Sequence, residues 1–191
     1  MIIIRNDDVL LASGDQFANA FERFIEVHEI IQKCSRMLHV PALVIKDLQQ
    51  FPEAVDFIKK ETRADRMRPQ LHGMVHEDYG QMPIETVIAH LAEGRGWFLS
   101  NLGYIPTKWY TPWGANQPHL YEAAKPLGME VIDCNNVIKF KGRYGVTQLI
   151  QEGRSADHFD DKEIIMHWWN ALDVERLGYF VKYINEAHPT H

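Results

Sequence analysis

The chain has 191 residues, a length that suits one domain with a sizeable core, and its 46% hydrophobic content is too high for a disordered chain. A formal net charge of −6, with no basic cluster in the sequence, argues against nucleic acid and against an anionic membrane surface as partners. Cys34 and Cys134 are too far apart for a C-x-x-C site and make no disulfide framework, which favours reduced thiols.

The apolar run at residues 2–4 is too short for a signal peptide, because charged residues follow at once. No stretch of the sequence approaches the length of a membrane span. We therefore expect a soluble, cytoplasmic protein that forms one catalytic domain over residues 1–191.

Short apolar runs alternate with amphipathic stretches, which predicts an α/β fold with a mostly parallel sheet. We expect strands at residues 2–5, 40–45, 70–71, 108–110, 129–132 and 164–167. We expect helices after Gly14 (with Phe17, Phe21, Phe24 and Ile31 at helical spacing) and at residues 52–61, 84–102, 119–127 and 174–187. Residues 137–150 fit a strand, a glycine-bearing turn and another apolar segment.

Residues 84–102 give the clearest helical pattern. The residues that this pattern places on or near one apolar face are Ile84, Val87, Ile88, Leu91, Leu99 and Leu102.

Six or seven strand–helix units fit a closed or distorted β/α barrel, and an open doubly wound sheet is the alternative. Either architecture places its site at the carboxyl ends of the strands. The residues expected there are Asp7, Asp8, His72, Pro112 and His167.

His72 and His76 form an H-x-x-x-H pattern, which on a helical turn would place both imidazoles on one face. A metal ion also needs a third ligand, and a carboxylate from Asp7-Asp8 is well placed by topology. Adjacent residues at a strand end point in different directions, so one carboxylate can bind metal while the other acts as a base. Taken alone, the H-x-x-x-H pattern also fits a chance spacing of histidines, and the Asp-Asp pair also fits a turn or a helix cap.

His167 ends an apolar strand and fits either a hydrogen-bonded core residue or a site residue. Trp168 and Trp169 follow it and fit either core packing or stacking on a sugar ring. The loop from Trp109 to Ala115 is rich in aromatic residues, and its proline and glycine can aim a backbone N–H inward.

Together, in this order, the four segments resemble the polysaccharide deacetylase family, carbohydrate esterase family 4. That family has an Asp-Asp after its first strand, an H-x-x-x-H, an R-x-P-x-G-like loop and a late Leu-x-x-His. The corresponding segments here are Asn6-Asp7-Asp8, His72 to His76, Tyr110 to Gly114, and Ile164 to His167. The resemblance extends from residue 2 to about residue 187.

The resemblance implies a distorted β/α barrel with one divalent metal ion, Zn²⁺ or alternatively Co²⁺ or Ni²⁺. Asp8, His72 and His76 would be its ligands. Asp7 would be the general base that activates water, and His167 would protonate the leaving amine. A backbone N–H near Trp113 would stabilise the oxyanion. The residues expected to contact substrate are Tyr110, Pro112, Trp113, Gly114 and Trp168.

Three departures from the family pattern stand out. Tyr110 occupies the position of the arginine that orients the base, and Lys108 and Arg143 are candidates to replace it. The family's aspartate partner for the acid histidine has only Asp133 as a counterpart. Asn6 and Val9 flank the acidic pair where the family favours Phe and Gly.

The sequence therefore predicts a metal-dependent hydrolase that removes an N-acyl group, foremost N-acetyl, from a sugar, a sugar conjugate or a small amide. A two-metal phosphoesterase on a similar barrel and a carbohydrate-binding descendant with little or no activity are the alternatives.

Overall fold

The computed structural model describes residues 1–9, 19–133, 137–140 and 145–189. Seven strands form one parallel sheet in the order β5-β4-β3-β2-β1-β7-β6. The strands are β1 (Ile2–Val9), β2 (Met37–Val44), β3 (Gln70–Gly73), β4 (Lys108–Tyr110), β5 (Glu130–Ile132), β6 (Ile138–Lys139) and β7 (Glu163–His167).

Seven α-helices accompany the sheet in the described residues. They are α1 (Ala20–Gln32), α2 (Ile45–Leu48), α3 (Pro52–Arg63), α4 (Ile84–Leu102), α5 (Pro118–Ala124), α6 (Val146–Gln151) and α7 (Ala171–Ala187). Short 3₁₀ helices occupy Tyr79–Gln81, Pro112–Gly114, Lys125–Leu127 and Ala156–Phe159. No helix in this part of the chain is long and apolar enough to cross a membrane.

Contacts between distant strands show that the sheet is curled. Tyr110 on β4 and Glu163 on β7 are four strand intervals apart in the sheet order. In a flat sheet these intervals of about 4.8 Å would separate the two strands by about 19 Å. The Tyr110 hydroxyl nevertheless donates to Glu163 Oε2 at 2.9 Å. The sheet therefore forms a half-barrel, which confirms the prediction of a distorted β/α barrel over a flat open sheet.

Strand β1 divides its side chains between the two faces of this half-barrel. Arg5 and Asp7 lie on the concave face, since Arg5 packs on the Tyr110 ring. Asn6 lies on the convex face, where it contacts His39 of β2, which in turn contacts His28 of α1. The register of β1 against β2 then shifts between Asn6 and Val9.

Helix α4 has the predicted bounds, but the prediction of which residues form its buried face is partly wrong. Ile88 is 36% exposed and Leu99 is 54% exposed, whereas Phe98 is fully buried. Gly94 is also buried, and a Cβ there would lie 2.8 Å from a methyl carbon of Leu71. The helix therefore approaches β3 through a glycine, which the apolar pattern did not predict.

Other bounds differ from the expectation by a few residues. Strand β2 begins at Met37, and helix α7 begins at Ala171. The undecided segment at residues 137–150 contains β6 and α6. Cys34 is a buried free thiol. The predicted positions of Phe17, Cys134 and Arg143 lie outside the described residues.

Candidate metal centre and active site

Asp8, His72 and His76 lie together at the carboxyl ends of β1 and β3. Asp8 Oδ1 is 3.1 Å from His72 Nε2 and 2.9 Å from His76 Nε2. One potential ligand atom from each residue falls in a group no more than 4.8 Å across. Two imidazoles and a carboxylate are a donor set that suits Zn²⁺, with Co²⁺ and Ni²⁺ as alternatives, so these residues fit a divalent metal ion.

The two histidines converge without the helical turn that was expected for their spacing. His72 belongs to strand β3, and His76 lies in the loop that follows it. Their rings stack with centroids 5.4 Å apart. A bend at the strand end, and not helical periodicity, therefore brings the two rings to one side.

Hydrogen bonds from neighbouring groups orient the potential ligands. His72 Nδ1 donates to the Tyr110 carbonyl at 2.6 Å, which leaves the Nε2 lone pair facing Asp8 and His76. Trp169 Nε1 donates to Asp8 Oδ2 at 3.1 Å, and Trp168 Nε1 donates to the Asp8 carbonyl at 2.8 Å. Such outer contacts fix the tautomer and orientation of metal ligands in proteins.

Asp8 adopts a backbone conformation that is uncommon for a residue with a side chain, with φ of +61°. Burial alone would raise the pKa of its carboxyl group, but the hydrogen bonds and charges of His72 and His76 outweigh burial and hold this pKa well below its usual range. Asp8 is therefore an ionised oxygen donor at neutral pH.

Asp7 points into the concave side of the sheet and is paired with a buried arginine. Arg5 Nε donates to Asp7 Oδ1 at 2.6 Å, and Arg5 Nη2 donates to Oδ2 at 2.8 Å. Neither sequence candidate for this partner is supported by the described contacts. Lys108 Nζ lies 3.8 Å from Glu163 Oε2, and Arg143 is outside the described residues.

His167 stands beside both acidic residues of β1. It pairs with Asp7 in the register of β1 and β7, and its Nε2 is 3.9 Å from Asp8 Oδ2. Its Nδ1 is 3.7 Å from Asp173 Oδ2, in the first turn of α7. Asp173 is therefore an acidic partner of His167 that the sequence did not predict. The carbonyl of Asp133, the residue suggested by the sequence, accepts from Arg5 Nη1 at 3.5 Å.

The environment of His167 favours its protonated form. Burial alone would lower the pKa of this imidazole. The carboxylates of Asp173, Asp8 and Asp7 outweigh burial and raise the pKa above its ordinary value. His167 can therefore hold a proton near neutral pH, as a general acid must.

The residues expected to contact substrate differ widely in exposure. Trp113 is 74% exposed, has a positive φ of 61°, and places its ring 5.2 Å from that of His76. Gly114 is half-buried and Pro112 is buried. Tyr110 and Trp168 are also buried, so neither side chain is accessible to a sugar in this structure, and their contact with substrate stays a prediction. Both contact site residues from the interior: Trp168 donates to the Asp8 carbonyl, and the Tyr110 carbonyl accepts from His72.

A chain of hydrogen bonds runs from the site into the helical layer. The Trp168 backbone N–H donates to Asn6 Oδ1 at 3.0 Å. The Asn6 amide nitrogen, Nδ2, then faces His39 Nε2 at a distance of 3.4 Å. His39 Nδ1 and His28 Nδ1 are 3.0 Å apart, and His28 Nε2 is 3.1 Å from Glu61 Oε2. Every bond is satisfied when both imidazoles are neutral and each donates toward Glu61.

The pKa values of both histidines agree with this assignment. Burial lowers the pKa of His39 well below its ordinary value. Burial also lowers the pKa of His28, although Glu61 opposes the shift. Arg66 completes the chain with two bonds to the carboxylate of Glu61.

Sequence analysis missed Arg5, Asp173 and the supporting roles of the two tryptophans. Arg5 carried a usable signal, because residues two apart on a strand share a face and Asp7 is two residues later. Asp173 carried none, since its approach to His167 depends on how α7 packs at the end of β7.

Comparison with known proteins identifies the fold. No family model and no curated protein matches the sequence. Among solved structures, a family 4 carbohydrate esterase pseudoenzyme from Bacillus anthracis has a TM-score of 0.69 at 13% identity, over 98% of this chain and 61% of that one. The chain thus spans less than two thirds of that protein.

Two further solved structures have a similar fold. A family 4 carbohydrate esterase from Streptomyces lividans, in complex with acetate, has a TM-score of 0.66 at 11% identity, over 97% of this chain and 88% of that one. A peptidoglycan deacetylase from Bacillus subtilis has a TM-score of 0.64 at 13% identity, over 97% and 83% of the two chains. The chain therefore has the polysaccharide deacetylase fold of carbohydrate esterase family 4.

Proposed function

We propose that this protein is a metal-dependent hydrolase that removes an N-acyl group, foremost N-acetyl, from a sugar or sugar conjugate. The observation that carries the proposal is the convergence of three potential metal ligands with a carboxylate and an imidazole at one end of the half-barrel. The fold shared with carbohydrate esterases and peptidoglycan deacetylases supports the substrate class.

Asp8, His72 and His76 would hold the ion, which when bound supplies Lewis-acid polarisation of the substrate carbonyl and lowers the pKa of water. Asp7 would accept the proton of the attacking water. His167 would donate a proton to the nitrogen as the carbon–nitrogen bond breaks, so that an amine and not an amide anion leaves. Trp113 would contribute its backbone N–H to the oxyanion and its exposed ring to the sugar.

Acetate release from N-acetylglucosamine oligomers tests the reaction. In protein loaded with Zn²⁺, we expect turnover in the wild type and a fall in kcat of at least about 100-fold in Asp7→Asn, since general base catalysis contributes about that much. Asp157→Asn is the matched control, because it removes an exposed carboxylate beside Arg36, far from the carboxyl ends of the strands. An Asp7→Asn variant as active as this control would rule out Asp7 as the base.

Metal content per chain tests the site without reference to activity. We expect about one equivalent of metal in the wild type and its loss in His76→Ala. His158→Ala, in the 3₁₀ helix before β7, is the control and should retain the metal. No binding of Zn²⁺ or Co²⁺ by the wild type would remove the basis of the proposal.

Two alternatives have distinct outcomes in these experiments. A carbohydrate-binding protein without turnover is favoured by the exposed Trp113 and by the similar pseudoenzyme, and it would bind glycans even after loss of His76. A two-metal phosphoesterase would bind about two equivalents of metal. The described residues hold one cluster of three potential ligands, which favours a single ion.

A further inference from the structure

Arg5 is a charged side chain in the interior of the half-barrel, and its burial demands compensation. It is completely buried, and an unpaired guanidinium in such a place would be strongly destabilising. Arg5 meets Asp7 with two parallel hydrogen bonds of 2.6 and 2.8 Å, the side-on geometry that fixes both carboxylate oxygens at once. The orientation of the Asp7 carboxylate thus follows that of Arg5.

The guanidinium is held in turn from its other sides. Its carbon lies 4.0 Å above the centre of the Tyr110 ring, and Nη1 is 3.4 Å from Glu163 Oε1. The Tyr110 hydroxyl donates to the same Glu163, and Lys108 Nζ lies 3.8 Å from it. These contacts compensate the charge of Arg5 and restrict the movement of its side chain.

Tyr110 lies on β4, and the resemblance to carbohydrate esterase family 4 would place there the arginine that orients the base. Here the guanidinium comes from β1 instead, two residues before Asp7, and an aromatic ring on β4 supports it.

We infer that Arg5 is the residue that positions Asp7. Relative to the arrangement that the family resemblance implies, the guanidinium then comes from β1 and not from β4, and an aromatic ring occupies the position on β4. The inference rests on the proposed function, in which Asp7 is the base. Both carboxylate oxygens of Asp7 accept bonds from Arg5, and these bonds keep the carboxylate turned to the carboxyl ends of the strands. Arg5 is completely buried and therefore acts through Asp7.

Three variants of Arg5 separate positioning from charge compensation. Arg5→Lys keeps the buried charge but loses the planar fork, so a purely structural role predicts near-normal kcat and a positioning role predicts a fall of at least about tenfold. Arg5→Met removes both, and we expect kcat to fall about 100-fold or more. The variant Arg5→Met/Tyr110→Arg returns a guanidinium to the cluster from β4, and we expect it to recover at least about tenfold of that loss.

The readouts are kcat and KM for acetate release, zinc per chain, and the thermal unfolding midpoint. We expect KM within about twofold of wild type and zinc at one equivalent throughout, because only the orientation of the base changes. Arg36→Met is the matched control: it removes an arginine 2.5 Å from Asp160, away from the site, and should leave kcat unchanged.

Crystal structures of the wild type and the variants supply a readout that needs no turnover. We expect Asp7 to be bound side-on in the wild type and in the double variant, and rotated away in Arg5→Lys. A wild type without activity on any acylated sugar would overturn the proposed function, while these structures would still decide whether Arg5 sets the orientation of Asp7. Arg5→Lys with normal kcat and an unmoved Asp7 would overturn the inference, even if Arg5→Met failed to fold.

Discussion

Asp8 is held by residues from two other parts of the chain, at positions 72–76 and 168–169. Trp168 donates to its carbonyl, Trp169 donates to Oδ2, and the two histidines of β3 and its following loop face Oδ1. The consecutive tryptophans therefore fix both the positive φ of this residue and the direction of its carboxylate. Trp168 is also part of the buried core, as one of the two alternatives expected, and the hydrogen bonds of both indoles to Asp8 are a further role that the sequence did not predict.

The bond from Trp169 to Asp8 predicts an effect on metal affinity. We expect Trp169→Phe to weaken Zn²⁺ binding by about 10- to 100-fold, as loss of an outer hydrogen bond to a metal ligand does. Competition titration with a zinc chelator measures the dissociation constant. Trp97→Phe on α4 is the control for changing an indole to a phenyl ring. Equal affinities in the two variants would contradict the role given to Trp169.

The contact between Asp173 and His167 predicts a change in the pH profile. Asp173 helps to raise the pKa of His167, so Asp173→Asn should lower that pKa. If His167 is the general acid, as proposed, it must be protonated to act, and the rate then falls as pH rises through this pKa. We expect the variant to lose activity at lower pH than the wild type on the alkaline side, as kcat measured from pH 6 to 9 would show.

At the level of single residues, the sequence predicted the cluster better than its supports. Asp7, Asp8, His72, His76 and His167 meet because the carboxyl ends of parallel strands share one edge, which follows from the order of elements alone. Arg5 and Asp173 depend on the packing of side chains across the half-barrel and at the start of α7. No local pattern determines such contacts.

Helix α4 shows which features of an element the sequence can predict. Its bounds follow from local signals, since Pro83 precedes its first residue and Gly103, with φ of +80°, terminates it. Its buried face was predicted less well, because the apolar pattern favours Leu99, whereas Phe98 is buried and Leu99 is exposed. Contact with β3, and not hydrophobicity alone, selects that face.

This difference in burial predicts unequal effects on stability. Phe98→Ala should lower the free energy of unfolding by about 3–5 kcal/mol, the usual cost of removing a buried phenyl ring. Leu99→Ala should change it by no more than about 0.5 kcal/mol, because the side chain is largely exposed. Urea unfolding of both variants gives the two free energies, and a reversed order would mean that α4 is rotated.

For the molecule as a whole, the two buried histidines predict a loss of stability in acid. His28 and His39 have lowered pKa values in the folded chain, while an unfolded histidine titrates near its ordinary pKa of about 6.5. Below that pH the unfolded chain takes up protons that the folded chain refuses. The free energy of unfolding should then fall by up to about 1.4 kcal/mol per pH unit for each histidine, until the folded-state pKa is reached.

Neutral variants test which residues carry this pH dependence. His28→Gln can still donate to Glu61 but cannot titrate, so we expect a shallower fall of stability between pH 6.5 and 5. His158→Gln, before β7, is the control. Urea unfolding at several pH values measures both slopes, and a slope in His28→Gln as steep as in the wild type would contradict the role of this pair.

The four residues Arg5-Asn6-Asp7-Asp8 have consequences for how such a site can be inherited. One uninterrupted tetrapeptide contains a potential metal ligand, the proposed base, the residue inferred to orient that base, and the amide that joins β1 to the helical layer. With the arginine on β4, the base and its orienting group lie in segments that recombination can separate. With the arginine on β1, a single short exchange of coding sequence transfers both together.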